Sequence, residues 1–171
     1  MEPKRRASRP SVRGYFAPAD AGRGLLEWDV AERQLVAARN YWLATASSAG
    51  APHAMPVWGV WLESRFLFST GPSTRKARNL RENPRAVVHL ESGAQVVAVE
   101  GRARESRDEA VIATFLAAYN PKYAWNFDAG DLASGGLFEI FPDRAFAWLA
   151  DQGEGFSEAA TRWIFERAEP T

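Results

Sequence analysis

The chain of 171 residues has no cysteine, two histidines and a formal net charge of zero, with 21 basic and 21 acidic residues. The absence of cysteine excludes disulfides, iron–sulfur clusters, thiolate zinc sites and cysteine nucleophiles, and it fits a reducing cytoplasm. The balanced charge argues against a dedicated nucleic-acid binder. No apolar run is long enough for a transmembrane helix, and the basic N-terminus lacks the apolar core of a secretion signal. We therefore expect a cytoplasmic protein with neither a membrane nor a nucleic acid as its partner.

The scarcity of histidine also bears on metal binding and catalysis. His53 follows a turn at the start of a predicted strand, and His89 lies inside a strand with the pattern of a buried one. Two histidines far apart in sequence, with no acidic neighbour at ligand spacing, do not make a recognisable metal site. The chain also has no recognisable triad or pair of carboxylates, so we predict no metal ion and name no catalytic residue.

Two regions of different composition divide the chain. Residues 1–24 contain six Lys or Arg and three Pro without apolar periodicity, which predicts a flexible basic arm. The remaining residues, 25–171, are expected to form one packed domain, because 46% of the whole chain is hydrophobic. Seven Trp is a high count for this length, so we expect several of them to line a pocket or an interface.

Short β-type runs alternate with helical segments in the predicted domain. Helices are predicted at 29–39, with Asp29 in a capping box, and at 74–83 and 107–119. Strands are predicted at 41–46, 53–62, 66–68, 85–91, 95–103, 137–141, 144–149 and 161–165. Gly101 is expected to mark a bend or bulge, and 120–136 a loop. About six strands at this spacing predict a mainly β fold with inserted helices, in the form of a small closed antiparallel barrel. The interior of so small a barrel is filled by side chains, so a cofactor would bind on its outside or at a subunit interface.

The loop before the second predicted helix has the clearest functional pattern. Four hydroxyls and two adjacent cations lie within eight positions: Ser69, Thr70, Ser73, Thr74, Arg75 and Lys76. The free N–H groups and positive dipole of a helix start favour an anion, and Arg and Lys both bind phosphate. The alternative is a solvated helix start with ordinary caps. The loop does not match the Walker A pattern, so the sequence indicates a phosphate site of another kind.

Four stretches of the chain together resemble a known family. They are Asn40-Tyr41-Trp42-Leu43-Ala44-Thr45 with residues 50–58, residues 68–71 with 75–80 and 83–85, Val99-Glu100-Gly101-Arg102-Ala103, and Ala160-Thr161-Arg162-Trp163 with Phe165. In this order they resemble the split-barrel flavin proteins related to pyridoxamine 5′-phosphate oxidase, and within these the flavin- and deazaflavin-dependent oxidoreductases. No residues match the pyridoxal-phosphate substrate site of the true oxidases, so the vitamin B6 reaction is not expected.

The resemblance implies a six-stranded antiparallel split β-barrel of the FMN-binding type and a homodimer with two cofactors at its seam. The cofactor is FMN or the deazaflavin coenzyme F-420, and residues 75–80 resemble the deazaflavin users more closely. The implied contacts to the ring are Met55, Pro56, Val57 and Trp58; to the phosphate, Ser69, Thr70, Ser73, Arg75, Lys76 and Asn79; and from the partner chain, Arg162 and Trp163.

The substrate site is expected to lie beside the ring. His53 precedes the predicted ring strand, and Tyr123 and Trp125 lie in an aromatic-rich loop. Clustered aromatics on a loop shape substrate pockets or else fasten the loop to the core, and both alternatives stay open here. The predicted reaction is hydride transfer to a flat, conjugated small molecule, because the cofactor carries that chemistry. A non-catalytic protein that binds or senses a flavin or haem is the alternative.

Overall fold

The computed structural model describes residues 3–10, 24–149 and 159–166. Its strands are β1 (Arg5–Ser8), β2 (Tyr41–Ala46), β3 (Pro52–Val57), β4 (Val60–Leu62), β5 (Arg65–Thr70), β6 (Arg85–His89), β7 (Gln95–Ser106), β8 (Gly136–Leu149) and β9 (Thr161–Phe165). Its helices are α1 (Trp28–Ala37), α2 (Arg75–Glu82), α3 (Glu109–Tyr123) and α4 (Ala129–Ser134). All described strand pairs are antiparallel. The expected mainly β fold with inserted helices is therefore confirmed.

The long strand β8 is where the sheet divides. One hydrogen-bonded path runs β1-β9-β8-β7-β6-β2-β3, and a branch runs from β8 through β5 to β4. The first part of β8 pairs with β5 and the second part with β9, while β7 pairs along its whole length. Within the described residues, β3 pairs with β2 alone and β4 with β5 alone, so the expected closure of the barrel is corrected to a split. The structure has nine strands where about six were expected. Of the eight predicted segments, 53–62 divides into β3 and β4, 137–141 and 144–149 join as β8, and β1 is added.

A one-residue bulge in β8 changes which residues face the core. Glu100 pairs with Arg144 but Gly101 pairs with Pro142, so Asp143 is the extra residue. Before the bulge Phe138 and Ile140 are core residues; after it the core residues are Ala145 and Ala147. The predicted bend at Gly101 is confirmed.

Two apolar clusters lie on opposite sides of the β4–β5–β8 branch. The inner cluster fills the barrel beneath α1 and contains Trp28, Leu35, Tyr41, Phe66, Phe68, Val88, Val99, Phe138, Ile140 and Trp163 among others. The outer cluster joins Val60, Leu67 and Leu137 to residues of α3 and α4: Phe115, Tyr119, Tyr123 and Leu132. The alternation of strand residues sends Phe66 and Phe68 to one cluster and Leu67 to the other.

Several expected boundaries are corrected. Part of the expected arm forms β1, which pairs with β9. Residues 11–23 lie outside the described residues. The first helix begins at Trp28, whose ring enters the inner core, and Asp29 does not cap it. The third helix continues through Pro121, because Tyr119 and Tyr123 both pack in the outer cluster. Part of the expected loop is α4, which Asp128 opens with a capping box.

Candidate cofactor and substrate site

The predicted phosphate loop joins β5 to the N-terminus of α2. Thr74 is the N-cap, and its Oγ1 accepts the Ala77 N–H at 3.4 Å and lies 3.1 Å from the Oγ1 of Thr70. The ordinary cap that was the alternative for this loop is therefore present. It leaves the first N–H groups of the helix, those of Arg75 and Lys76, without an intrahelical acceptor. The cap and an anion site are thus compatible.

Two cations and a histidine from two elements meet beside this loop. Arg75 is exposed and donates from Nη2 to the carbonyl of Pro52 at 3.3 Å, which joins the helix start to the start of β3. His53 is the next residue of that strand. Its pKa lies below the ordinary value, first because of desolvation and then because of the charges of Arg75 and Lys76. The contributions of Arg75 and Lys76 to this shift show that both cations lie close enough to His53 to act on its ring.

The backbone of the loop is held by cations further along α2. Arg78 donates to the carbonyl of Ser73 at 2.6 Å, and Arg81 donates to the carbonyl of Pro72 at 2.7 Å. Arg81 also bonds both oxygens of Glu105, at 2.6 and 2.8 Å. These bonds raise the pKa of Arg81 and lower that of Glu105. Arg78 and Arg81 are therefore engaged by the carbonyls of Ser73 and Pro72. Arg75 and Lys76 are the cations at the start of α2, next to the loop.

Asn79 does not join the loop cations. Its side chain is 5% exposed, and its Nδ2 donates to Thr45 Oγ1 at 3.0 Å. The buried amide therefore fastens α2 to β2. In this structure the amide positions the helix, and its predicted role as a cofactor contact stays a prediction.

The predicted ring-binding residues lie on an edge strand. Met55 is 45% exposed and Pro56 is also exposed, whereas Val57 packs against the inner core. Since β3 pairs with β2 on one side, the backbone groups of its other edge have no strand partner among the described residues. This edge runs from the loop cations at its start towards Trp58 at its end.

Trp58 and Trp125 form an exposed aromatic corner. The ring of Trp58 is 40% exposed and that of Trp125 is 52% exposed, with centroids 6.2 Å apart and planes at 77°. Tyr123 lies beneath Trp58, stacked at 4.7 Å and 10°, and is 3% exposed. Its hydroxyl accepts the Gly59 N–H and lies 2.7 Å from the Arg39 carbonyl. Tyr123 therefore supports the corner from below, and its predicted place in the substrate pocket stays a prediction.

The two residues predicted to reach a partner's cofactor differ in placement. Trp163 is 2% exposed and packs edge-to-face on Trp28 at 5.3 Å, inside its own core. Its ring is therefore buried within its own chain, and its predicted role as a cofactor contact stays a prediction. Arg162, the preceding residue, points to the opposite face of β9 and donates to Ser8 Oγ at 3.1 Å.

Lys122 is a half-buried cation that sequence reasoning did not place in the site. Its Nζ donates to Tyr41 Oη at 2.8 Å and to the carbonyls of Gly59 at 3.2 Å and Val36 at 3.3 Å. Burial, and secondarily Arg39, lowers the pKa of Lys122 to about 8. The signal in the sequence was a cation beside the aromatic run at 123–127, but its partners lie 63 or more positions away.

We expect the stability contribution of Lys122 to depend on pH. Since its pKa falls from 10.5 to about 8 on folding, the protonated amine opposes folding below pH 8, and this cost disappears as the pH rises from 8 towards 10.5. The free energy of unfolding, relative to Lys122→Met, should increase by about 1 kcal/mol over that range, after discounting for partial exposure. Urea denaturation of both proteins at pH 7 and pH 9.5 measures it. A difference that stays constant with pH would contradict the burial of this amine.

The outer face of the sheet also carries apolar side chains. Trp42 is 36% exposed and stacks on His89 with centroids 6.4 Å apart, and Ile164 is 38% exposed. The strand registers place further residues on the same face: Ala44, Pro56, Val87, Ala98 and Phe146. The registers place Glu100, Arg144 and Arg162 on this face as well, so it is a mixed apolar and charged surface, separate from the aromatic corner.

Comparison with known proteins identifies the family. A family model described as pyridoxamine 5′-phosphate oxidase matches residues 28–149. The chain belongs to the pyridoxamine 5′-phosphate oxidase family. The match begins with α1 and ends with β8, so it includes the loop, the edge strand and the aromatic corner. The family resemblance inferred from the four sequence stretches is confirmed.

Solved structures share the split-barrel fold. A conserved hypothetical protein from Mycobacterium tuberculosis has a TM-score of 0.63 at 22% identity, over 78% of this chain and 94% of its own. An F-420 reductase has a TM-score of 0.55 at 20% identity, over 67% and 94%. The haem storage protein HutZ from Vibrio cholerae has a TM-score of 0.55 at 17% identity, over 70% and 91%. The chain has no significant match among curated protein sequences. At these identities the similarity establishes the fold.

Membrane and metal features were also sought in residues 3–10, 24–149 and 159–166. No helix in these ranges has the length and apolar character needed to cross a bilayer. No group of three or more His, Cys, Asp or Glu side chains in the same ranges is placed to hold a metal ion.

Proposed function

We propose that this protein is an oxidoreductase that binds FMN or coenzyme F-420 at a homodimer interface and transfers a hydride to a flat, conjugated small molecule. The observation that carries the proposal is the meeting of Arg75, Lys76 and His53 at the start of an exposed edge strand. Family membership and the shared fold with an F-420 reductase support it.

The residues present fit a phosphorylated flavin-type cofactor. The first N–H groups of α2 and the side chains of Arg75 and Lys76 would hold the phosphate. From Pro52 to Val57 the edge strand extends ~17 Å, at about 3.3 Å per residue. A ring held along Met55 to Trp58 therefore lies at the end of the strand away from the phosphate. The free backbone edge there offers N–H and C=O groups to the polar edge of a ring.

The cofactor supplies the hydride chemistry when it is bound. The chain's own residues anchor the phosphate at the loop, hold the ring beside the edge strand and exclude water with the exposed aromatic side chains. Neither FMN nor F-420 is favoured by a contact in the structure; the preference for F-420 rests on residues 75–80, which resemble deazaflavin users.

The homodimer is proposed to form through the outer sheet face. Trp42 and Ile164 are exposed apolar residues of this face, and the ion pair between Glu100 and Arg144 lies between Ile164 and Val87 in the strand registers. A sheet face that exposes large apolar side chains among polar ones is typical of an interface. Sedimentation of the protein at micromolar concentration should give twice the monomer mass, and Trp42→Glu should shift it towards the monomer.

A non-catalytic binder of flavin or haem is the second candidate. The similarity in fold to the haem storage protein HutZ supports it. Purified protein mixed with reduced cofactor and a set of quinone and enone acceptors separates the two. Cofactor oxidation that depends on the acceptor and the protein supports the enzyme, and tight binding without turnover supports the binder.

Removing both loop cations is expected to weaken cofactor binding about a hundredfold. Arg75→Ala with Lys76→Ala deletes two charge-assisted bonds to the phosphate, worth about 3 kcal/mol together at an exposed site. Quenching of FMN or F-420 fluorescence measures the dissociation constant. The matched control is Arg33→Ala with Arg107→Ala, which removes one exposed cation from α1 and one from the segment between β7 and α3. Equal affinities in the two double variants would refute the phosphate assignment.

His53 provides an independent readout of the same assignment. Because Arg75 and Lys76 lower its pKa, the double variant should show a higher His53 pKa by NMR titration. Binding of inorganic phosphate to the unmodified protein should also raise it, since an anion opposes the two cations. His89, the other histidine, serves as an internal reference.

A further inference from the structure

The aromatic corner is preformed by a layer of rings beneath it. Trp58 has one face covered by Tyr123, so its exposed surface lies on the opposite face. Trp125 is held at a right angle to Trp58 and packs edge-to-face on Phe127 at 5.9 Å. Tyr119 continues the layer below, stacked on Phe127 at 5.7 Å. Two large exposed rings held in fixed positions are typical of a binding surface.

Arg39 gives the corner a positive charge. Its guanidinium carbon lies 5.9 Å from the centroid of Trp58 and 5.4 Å from that of Tyr123, and Nη1 donates to the Lys122 carbonyl at 3.2 Å. In the described part of the chain, no ion pair joins Arg39 or Lys122 to a carboxylate. Lys122 has its Nζ committed to three oxygen acceptors, whereas Arg39 keeps donors for a ligand.

We propose that Trp58, Trp125 and Arg39 together bind a planar conjugated compound that carries a carboxylate. The ring system of this compound stacks on the open face of Trp58 and contacts the ring of Trp125. The carboxylate pairs with the guanidinium of Arg39, whose planar fork matches its two oxygens. Two rings at a right angle accommodate one flat ring system, which favours a small molecule.

This inference rests on the proposed function and specifies its substrate. The corner follows the end of the edge strand, and the loop cations lie at the start of that strand. A cofactor whose phosphate is at the loop therefore brings its ring towards the corner. The acceptor of the hydride is thus a conjugated carboxylate, and Arg39 and Trp125 determine specificity without touching the cofactor phosphate.

Naphthoate and its neutral analogue naphthamide are suitable probes, because they share a ring system and differ in charge. Isothermal titration of the full chain should show naphthoate binding about tenfold or more tightly than naphthamide. Arg39→Gln should abolish that preference and leave naphthamide affinity unchanged. Trp125→Ala should weaken both probes about tenfold, and Trp125→Phe should restore most of the affinity. Arg33→Gln, on the adjacent helix, is the charge-matched control and should change neither.

Equal affinity for the two probes in the unmodified protein, or no change on Arg39→Gln, would overturn the inference. Thermal unfolding of each variant checks the fold, and Arg39→Gln decides the question if Trp125→Ala is unstable. A titration with FMN and F-420 keeps the two proposals apart. If naphthoate binds as expected but neither cofactor binds, the corner stands and the proposed function fails. If a cofactor binds but the naphthoate preference is absent, the proposed function stands and the corner fails.

Discussion

Replacing Glu139 by Gln is expected to lower the free energy of unfolding by about 2 kcal/mol, the scale of a hydrogen bond to a charged group, because Arg104 is 66% exposed and Arg65 keeps its pair with Glu63. The side chain of Glu139 is 1% exposed and lies in β8 between its two neighbours. Its oxygens accept from Arg65 Nε of β5 at 2.8 Å and from Arg104 Nη2 of β7 at 2.9 Å. Gln keeps the shape, but it removes the charge and turns an N–H₂ donor towards one of the two guanidinium groups.

The control is an exposed ion pair on α1. Asp29 and Arg33 have side chains 62% and 68% exposed, so Asp29→Asn should cost less than about 1 kcal/mol. Urea denaturation of both variants at pH 7 provides the comparison, with an unchanged m-value as the check on two-state unfolding. If both variants lose the same small free energy of unfolding, the buried ion pairs of Glu139 do not hold β5, β7 and β8 together.

This ionic junction connects stability to the candidate site. Glu139 pairs in register with Leu67 of β5, and β5 ends at Thr70 where the loop begins. Partial loss of the β5–β8 ladder would therefore free the loop backbone and the start of α2. The Glu139→Gln variant should therefore bind the cofactor more weakly than the unmodified protein. The loss of affinity should follow the fraction of molecules in which the β5–β8 ladder is open.

Elements with local signals were predictable from the sequence. The strand β2 was predicted with its observed bounds, since it is a short run of aromatic and apolar residues followed by a Gly-Ala-Pro turn. The helix α2 was predicted to within one residue at each end, because Thr74 caps it and Pro84 follows it. Such signals operate within a few positions. They also explain why the hydroxyls and cations of the loop could be found in the sequence.

Elements that depend on distant partners were not predictable. The strand β1 has the sequence Arg-Arg-Ala-Ser, which carries no apolar alternation, and its ladder partner Trp163 is more than 150 positions away. Whether Trp163 or Arg162 would face the core depended on that same pairing. The ion pairs of Glu139 and the carbonyl acceptor that Gly59 offers to Lys122 likewise depend on which elements the fold brings together. Residue type alone predicts that a charge needs a partner, and the topology decides which partner it has.

The bulge opposite Gly101 is what allows one strand to serve two halves of the sheet. Without the extra residue Asp143, the even-numbered side chains of β8 would face the core along its whole length. The core would then receive Arg144 in place of Ala145. The bulge shifts the alternation once, so the first part of β8 supports β5 and the loop, and the second part supports β9.

Replacing Gly101 by Ala is therefore expected to lower the free energy of unfolding by about 3 kcal/mol or more. A Cβ at this position would lie 2.2 Å from the carbonyl oxygen of Phe141 and 2.9 Å from its carbonyl carbon. Both are backbone atoms of the paired strand, so no side-chain rotation can relieve the overlap, and β7 and β8 must separate at the bulge.

Gly93 provides the matched control, because it lies between β6 and β7 and a Cβ there would meet no atom within 4 Å. Gly93→Ala should change the free energy of unfolding by less than about 0.5 kcal/mol in the same urea denaturation. If Gly101→Ala were as stable as Gly93→Ala, the two long strands could not approach as closely at the bulge as described. The exchange of core-facing residues in β8 would then need another cause. If the loss is large and is accompanied by weaker cofactor binding, the bulge contributes to the site by holding β8 against both β5 and β7.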